Sequence, residues 1–170
     1  MDAMEAILSR RSIRQYTDQP VPDEILETLL KAAMSAPSAG NQQAWQFLIV
    51  NDRRALDEIP KVHPHASMLR QAPAAILVCS DKKLETNKGF WTQDCSAATQ
   101  NLLLAAHANG LGAVWLGVYP KEQRVVGLRK LLALPEHVVP LALVSIGYPA
   151  ETKPPAERYN PARVHYNRWT

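Results

Sequence analysis

FWTQDCSAATQNLLLAAHANGLGAVWLGVYP, residues 90–120, joins a helix to a strand through a glycine stop, and the fold follows from how its apolar residues are shared out. Thr92 to Asn109 reads as a helix, but Ala97, Ala98, Leu102, Leu103, Leu104, Ala105, Ala106 and Ala108 are too many for one stripe. A helix apolar nearly all round must be buried nearly all round. In a chain of 170 residues it is either the central core helix or part of a subunit contact, where small alanines permit close approach. Gly110 ends it, and Ala113 to Val118 is an apolar run of strand length.

Working outward, "WQFLIV" (45–50), "AAILVCS" (74–80) and "LALVSIG" (141–147) have the same character, which predicts a four-stranded sheet covered on both faces. Asp2 and Glu5 have capping-box spacing, and Met4, Ile7 and Leu8 make one stripe of a first helix that ends near Ser9. Pro22 suits a first helical position, Asp23 and Glu24 suit the positive end of the dipole, and Ile25, Leu26, Leu29, Leu30 and Ala33 keep helical spacing until Pro37. Further helices are predicted over 53–59 and 121–132.

One compact domain, 1–170, is expected, since a chain of this length buries roughly 70% of its unfolded surface without a disulfide or metal staple. Nineteen basic and sixteen acidic side chains give a net charge of +3, too mild a bias for a polyelectrolyte binder. Cys79 and Cys95 lie in apolar segments without C-x-x-C spacing, which suggests packed thiols in a reducing, cytoplasmic setting. No signal-peptide pattern follows Met1, and no apolar run approaches a membrane span.

Three polar islands interrupt the pattern. "RRSIRQY" (10–16) places Arg10, Arg11 and Arg14 around Ser12 at the end of the first helix. If the chain turns there, guanidinium forks, the hydroxyl and backbone N–H groups can converge on one anion. A solvated basic turn at a helix C-terminus explains the stretch alone equally well. "PSAGNQQAW" (37–45) offers donors and acceptors for a heterocycle, or is ordinary turn chemistry. "VWLGVYP" ends a strand on Gly117, where a flat ligand could reach bare backbone; a bulge or close helix packing also accounts for it. The last stretch, 148–170, holds four of the thirteen prolines together with Tyr159, Val164, Tyr166 and Trp169, poor residues for free solvent, so a docked arm is expected.

In this order the motifs resemble the FMN-dependent nitroreductases, in particular their short bacterial members, and the likeness runs from "MDAMEAILSRRSIRQY" through "PSAGNQQAW" and "SIGYP" to the closing "RVHYNRW". The resemblance implies an α+β, three-layer α-β-α sandwich, and a homodimer with two FMN sites at its interface and the C-terminal arm wrapped around the partner. It implies an NAD(P)H oxidoreductase working by ping-pong hydride transfer through the flavin to a nitroaromatic, quinone or similar small acceptor. It further implies that Arg10, Arg11, Ser12 and Arg14 serve the phosphate, ribityl chain and pyrimidine edge. Pro37, Ser38, Ala39 and Asn41 reach the flavin from the other subunit. Leu116, Gly117 and Val118 lie along the ring system, and Arg158 closes on the phosphate, with Arg163 a weaker candidate. Ala44 stands where the family pattern has proline.

No catalytic side chain is expected, because the flavin carries the chemistry. His63 and His65 in "VHPH" read as a solvated loop pair, and His107 as a satisfied core or interface histidine. Trp91, Gln93 and Asp94 either border a substrate channel or cap and pack the long helix. Two other functions fit the same residues: a flavin-holding protein without efficient turnover, and a basic dimeric nucleic-acid module using Arg10, Arg11, Arg14, Arg163 and Arg168 as phosphate contacts. Neither nucleic acid nor membrane is an expected partner under the oxidoreductase reading.

Overall fold

In the computed structural model, which describes residues 1–169, the chain forms α1 (Ala3–Ser9), α2 (Asp23–Met34), β1 (Trp45–Val50), α3 (Arg53–Val62), β2 (Ala74–Asp81), α4 (Trp91–Ala108), β3 (Gly112–Gly117), α5 (Glu122–Leu131) and β4 (Val138–Gly147). The strands make one sheet in the order β1-β2-β4-β3. Every neighbouring pair is antiparallel.

Because side chains alternate across a strand, each apolar run feeds two separate cores. Ile76 and Val78 of β2, with Val144 and Ile146 of β4, face α2 and α4. Ala75, Leu77 and Cys79, with Leu143 from β4, face α3 and α5. The central strands are buried on both faces, which is why they read as unbroken apolar runs. An α+β, three-layer sandwich results, as expected.

Local chemistry sets most element ends. Asp2 caps α1 by accepting the Glu5 N–H at 2.9 Å, and Asp52 caps α3 through Ala55 N–H at 2.9 Å. Two boundaries differ from the sequence expectation by three residues, and the others by no more than about one. β4 begins at Val138, three residues early, and takes in Pro140, which sits opposite Cys79 beside a bulge, a place where strands tolerate proline. α3 runs through Pro60 to Val62, held by its buried Leu56 and Ile59.

α1 departs further: Met4, Ile7 and Leu8 are exposed, and only Ala6 of this helix is buried. Ile7 joins Ala105 and Ala108 of α4 around an apolar groove of about 360 Å³. One side of α4 is thus core and the other lines an open groove. The tail docks on its own chain only as far as Pro154, whose carbonyl accepts from Arg11 Nε at 2.8 Å. Beyond it Tyr159, Val164, Tyr166 and Trp169 are exposed.

Ile76→Ala, which empties a fully buried site on the central strand, is expected to lower unfolding free energy by about 2–5 kcal/mol in chemical denaturation.

Candidate functional site

The outer edge of β3 is covered at one end and open at the other. Ser12 forms a parallel bridge with Ala113, and Ile13 N–H donates to the Ala113 carbonyl at 3.1 Å. Ala113 therefore faces away from β4, and so do Trp115 and Gly117 by strand alternation. Past the Ser12 segment this edge opens onto a cavity of about 450 Å³ lined by Arg14, His65, Met68, Leu116, Gly117 and Arg124, among others. At Gly117 a Cβ would meet no heavy atom within 4 Å. The face of the strand is therefore uncovered at Gly117.

The three N-terminal arginines, which follow one another in sequence, go separate ways. Arg11 is spent internally, donating to the carbonyls of Pro154 at 2.8 Å, Arg10 at 2.5 Å and Leu8 at 3.2 Å. Arg14 is exposed and turns toward the cavity, while its backbone N–H donates to Glu151 Oε1 at 2.6 Å. Arg10 lies within electrostatic range of Arg158 from the tail. Partial burial and the charges of Arg158 and Arg11 pull its guanidinium below the ordinary arginine value. Among the described residues, no ion pair engages Arg10, Arg14 or Arg158. Like charges held together without a counter-charge favour an anion. Ser12 contributes backbone: its carbonyl accepts from Lys153 Nζ at 2.8 Å.

The second island sits at the opposite edge, leading into β1. Gly40, Asn41 and Gln43 all have left-handed backbone, with φ of 55°, 54° and 47°. Buried Asp94 at the start of α4 holds this loop, accepting the Ala39 N–H at 2.9 Å and Gln42 Nε2 at 2.5 Å. Ser38 Oγ accepts from Gln43 N–H at 3.1 Å. Three strand spacings, roughly 14 Å, separate the β1 and β3 edges. Within one chain, Pro37, Ser38, Ala39 and Asn41 are therefore not gathered with Arg14, Leu116 and Gly117. Of the "WLGV" residues, Gly117 is the open one. Val118 is fully buried and its N–H donates to Leu141 at 3.0 Å.

Two residues gained roles that the sequence reading missed. His63, expected in solvent, is buried, with Nε2 3.0 Å from the Gly117 carbonyl. Its spacing from Leu56 and Ile59 continues the buried stripe of α3, a signal visible in the sequence. Arg124 Nη1 donates to the same carbonyl at 2.7 Å. His107 is satisfied, as expected, 2.7 Å from Ser9 Oγ. Trp91 packs edge-on against Tyr119, with ring centroids 4.8 Å apart. Among the described residues no group of three His, Cys, Asp or Glu is placed to hold a metal ion, and no helix is long and apolar enough to cross a membrane.

The model of the nitroreductase family matches residues 7–66 and 60–148. The chain belongs to the nitroreductase family. Among relatives of this nitroreductase is a protein from Methanothermobacter thermautotrophicus named "Putative NADH dehydrogenase/NAD(P)H nitroreductase", 52% identical over 99% of this chain and 88% of the relative. The "FMN reductase [NAD(P)H]" of Bacillus subtilis is 31% identical over 98% of this chain and 76% of its own length. A solved structure of "a putative nitroreductase in complex with fmn" from Desulfovibrio desulfuricans superposes with a TM-score of 0.86 at 34% identity, covering 100% of this chain and 99% of the other. The nitroreductase fold is thus shared over essentially the whole chain.

Asp94→Ala leaves two buried-side donors of the 37–43 loop unpaired. It is expected to cost about 1.5–3 kcal/mol of stability, with faster amide hydrogen exchange at Ala39 as the local sign.

Proposed function

We propose that this chain is an FMN-dependent NAD(P)H oxidoreductase of the nitroreductase type, working as a homodimer that builds two FMN sites between its subunits. The observation that carries the reading is the cavity at the Gly117 end of β3, faced by Arg14, in a chain where Arg10 feels the charge of Arg158 and neither has an ion-pair partner among the described residues. A planar ring suits the first feature and a phosphate the second, so the residues present fit FMN. Held there, FMN would supply ping-pong hydride transfer from NAD(P)H to a second small molecule.

The chain's own residues bind and orient. Arg10 and Arg158 would hold the phosphate, Ser12 and Arg14 the ribityl chain and pyrimidine edge, and Leu116, Gly117 and Val118 the ring face. Positive charge at the pyrimidine edge favours an electron-rich ring. Arg11 supports the site from behind by tying the first helix to the tail. A nitroaromatic, quinone or similar acceptor would take the second half-reaction.

Geometry and exposure support the dimer. Pro37, Ser38, Ala39 and Asn41 can meet the flavin only across a subunit boundary, given the width of the sheet. The exposed Met4, Ile7 and Leu8, the groove beside α4 and the aromatic tail supply apolar surface that a second copy would cover. Burial pushes the Cys79 and Cys95 thiols up to about 12, keeping both protonated and inert, in accord with a reducing cytoplasmic setting. The inward turn of Arg11 removes one of the five arginines that the nucleic-acid reading would use.

The purified protein is expected to be yellow, dimeric and bleached by NADH or NADPH under anaerobic conditions, with colour restored by a quinone or nitroaromatic. Reduction without reoxidation by any acceptor would leave a flavin-holding protein, and a colourless monomer that ignores added FMN overturns the reading. Arg14→Ala and Arg158→Ala should each weaken FMN binding by about 1.5–3 kcal/mol in fluorescence titration. In a mixed dimer of Arg14→Ala and Ser38→Ala chains, one site is intact and the other doubly altered, so tight binding should survive at half stoichiometry.

A further inference from the structure

Gly117 ends the edge strand β3 with its face uncovered. A glycine has no side chain to restrict φ and ψ, and the outward-pointing N–H and carbonyl of an edge strand have no ladder bond to hold them. Yet its carbonyl receives two hydrogen bonds from outside the sheet, from Arg124 Nη1 at 2.7 Å and from His63 Nε2 at 3.0 Å. The His65 N–H donates to His63 Nδ1 at 3.3 Å. That bond leaves Nδ1 the acceptor and puts the ring proton on Nε2, where it donates to Gly117. Burial lowers the His63 pKa, so the neutral ring that this tautomer requires is the favoured form.

The two donors come from different elements, the end of α3 and the first turn of α5. Together they occupy both lone pairs of one carbonyl, a degree of attention that a solvent-facing strand end does not need for stability. In a strand the N–H and carbonyl of one residue point the same way. Fixing the Gly117 carbonyl therefore fixes its N–H as well, on the open side of β3 beside the cavity.

We propose that His63 and Arg124 are positioning residues that lock Gly117, so that its outward N–H is a preorganised donor to the edge of the bound ring. The inference rests on the FMN reading of the cavity. It assigns the pair a redox consequence: a fixed donor at the edge of the ring interacts differently with oxidised and reduced FMN.

The test uses the full-length protein and four chains: wild type, His63→Leu, Arg124→Met and His63→Gln, the last keeping a terminal N–H donor on a side chain of similar reach. In the apoprotein, 15N relaxation should show Gly117 ordered in wild type and His63→Gln, and mobile in His63→Leu and Arg124→Met. In the loaded protein, His63→Leu should raise the Kd for oxidised FMN by about three- to tenfold. It should also change the ratio of Kd values for oxidised and reduced FMN by about threefold or more, and His63→Gln should restore it. Equal weakening of both redox states, or an ordered Gly117 in His63→Leu, overturns the positioning role while leaving the FMN site standing. Failure of the wild type to bind FMN overturns both.

Discussion

Everything in this molecule hangs on a four-stranded sheet whose two central strands are buried on both faces. Ile76 and Val144 belong to one core and Leu77 and Leu143 to the other, so neither layer of helices can shift without opening apolar surface. With β2 and β4 locked in the middle, the outer strands can present their free edges to something other than protein. β3 does so with its backbone. At one end the Ser12 segment closes the edge, and at the other Gly117 leaves it open.

The charged groups are arranged around that opening by packing rather than by sequence order. Arg11 is drawn back onto three carbonyls, which frees neither its donors nor its place for a ligand. Arg10, partly buried, is left in range of the charge of Arg158, from nearly the other end of the chain. Such a pair is unfavourable until an anion arrives, and the flavin phosphate is the anion proposed for it. Glu151 and Lys153 hold the tail in register by bonding the backbone of Arg14 and Ser12, so the same strap that places Arg158 also frames the N-terminal motif.

The opposite edge shows a different kind of order. The 37–43 loop carries three left-handed residues, two of them not glycine, a conformation that persists only when its surroundings impose it. Buried Asp94 imposes it through two hydrogen bonds. Residues of this loop can reach the flavin proposed at β3 only if a second chain brings them, which gives the exposed face of α1 and the tail their purpose in the homodimer proposed here. The site and the oligomer are then one construction problem: a sheet four strands wide keeps its two edges too far apart to share a ring.

The sequence by itself determined the elements and their faces. Unbroken apolar runs announced strands covered on both sides, Asp2 and Gly110 announced helix ends, and the ordered motifs carried the family, because propensity, capping and periodicity are local properties. The excess of alanine and leucine in residues 97–108 announced a helix too apolar for one stripe, in the core or at a subunit contact, and the structure sets one side in the core and the other on a groove. Tertiary structure alone decided which strands are edges, that Arg11 turns away while Arg10 comes within range of the charge of Arg158, and that His63 is buried against the carbonyl of Gly117. Those outcomes depend on strand order and on contacts between residues far apart in the chain, and periodicity says which face a side chain takes without saying what waits on the other side.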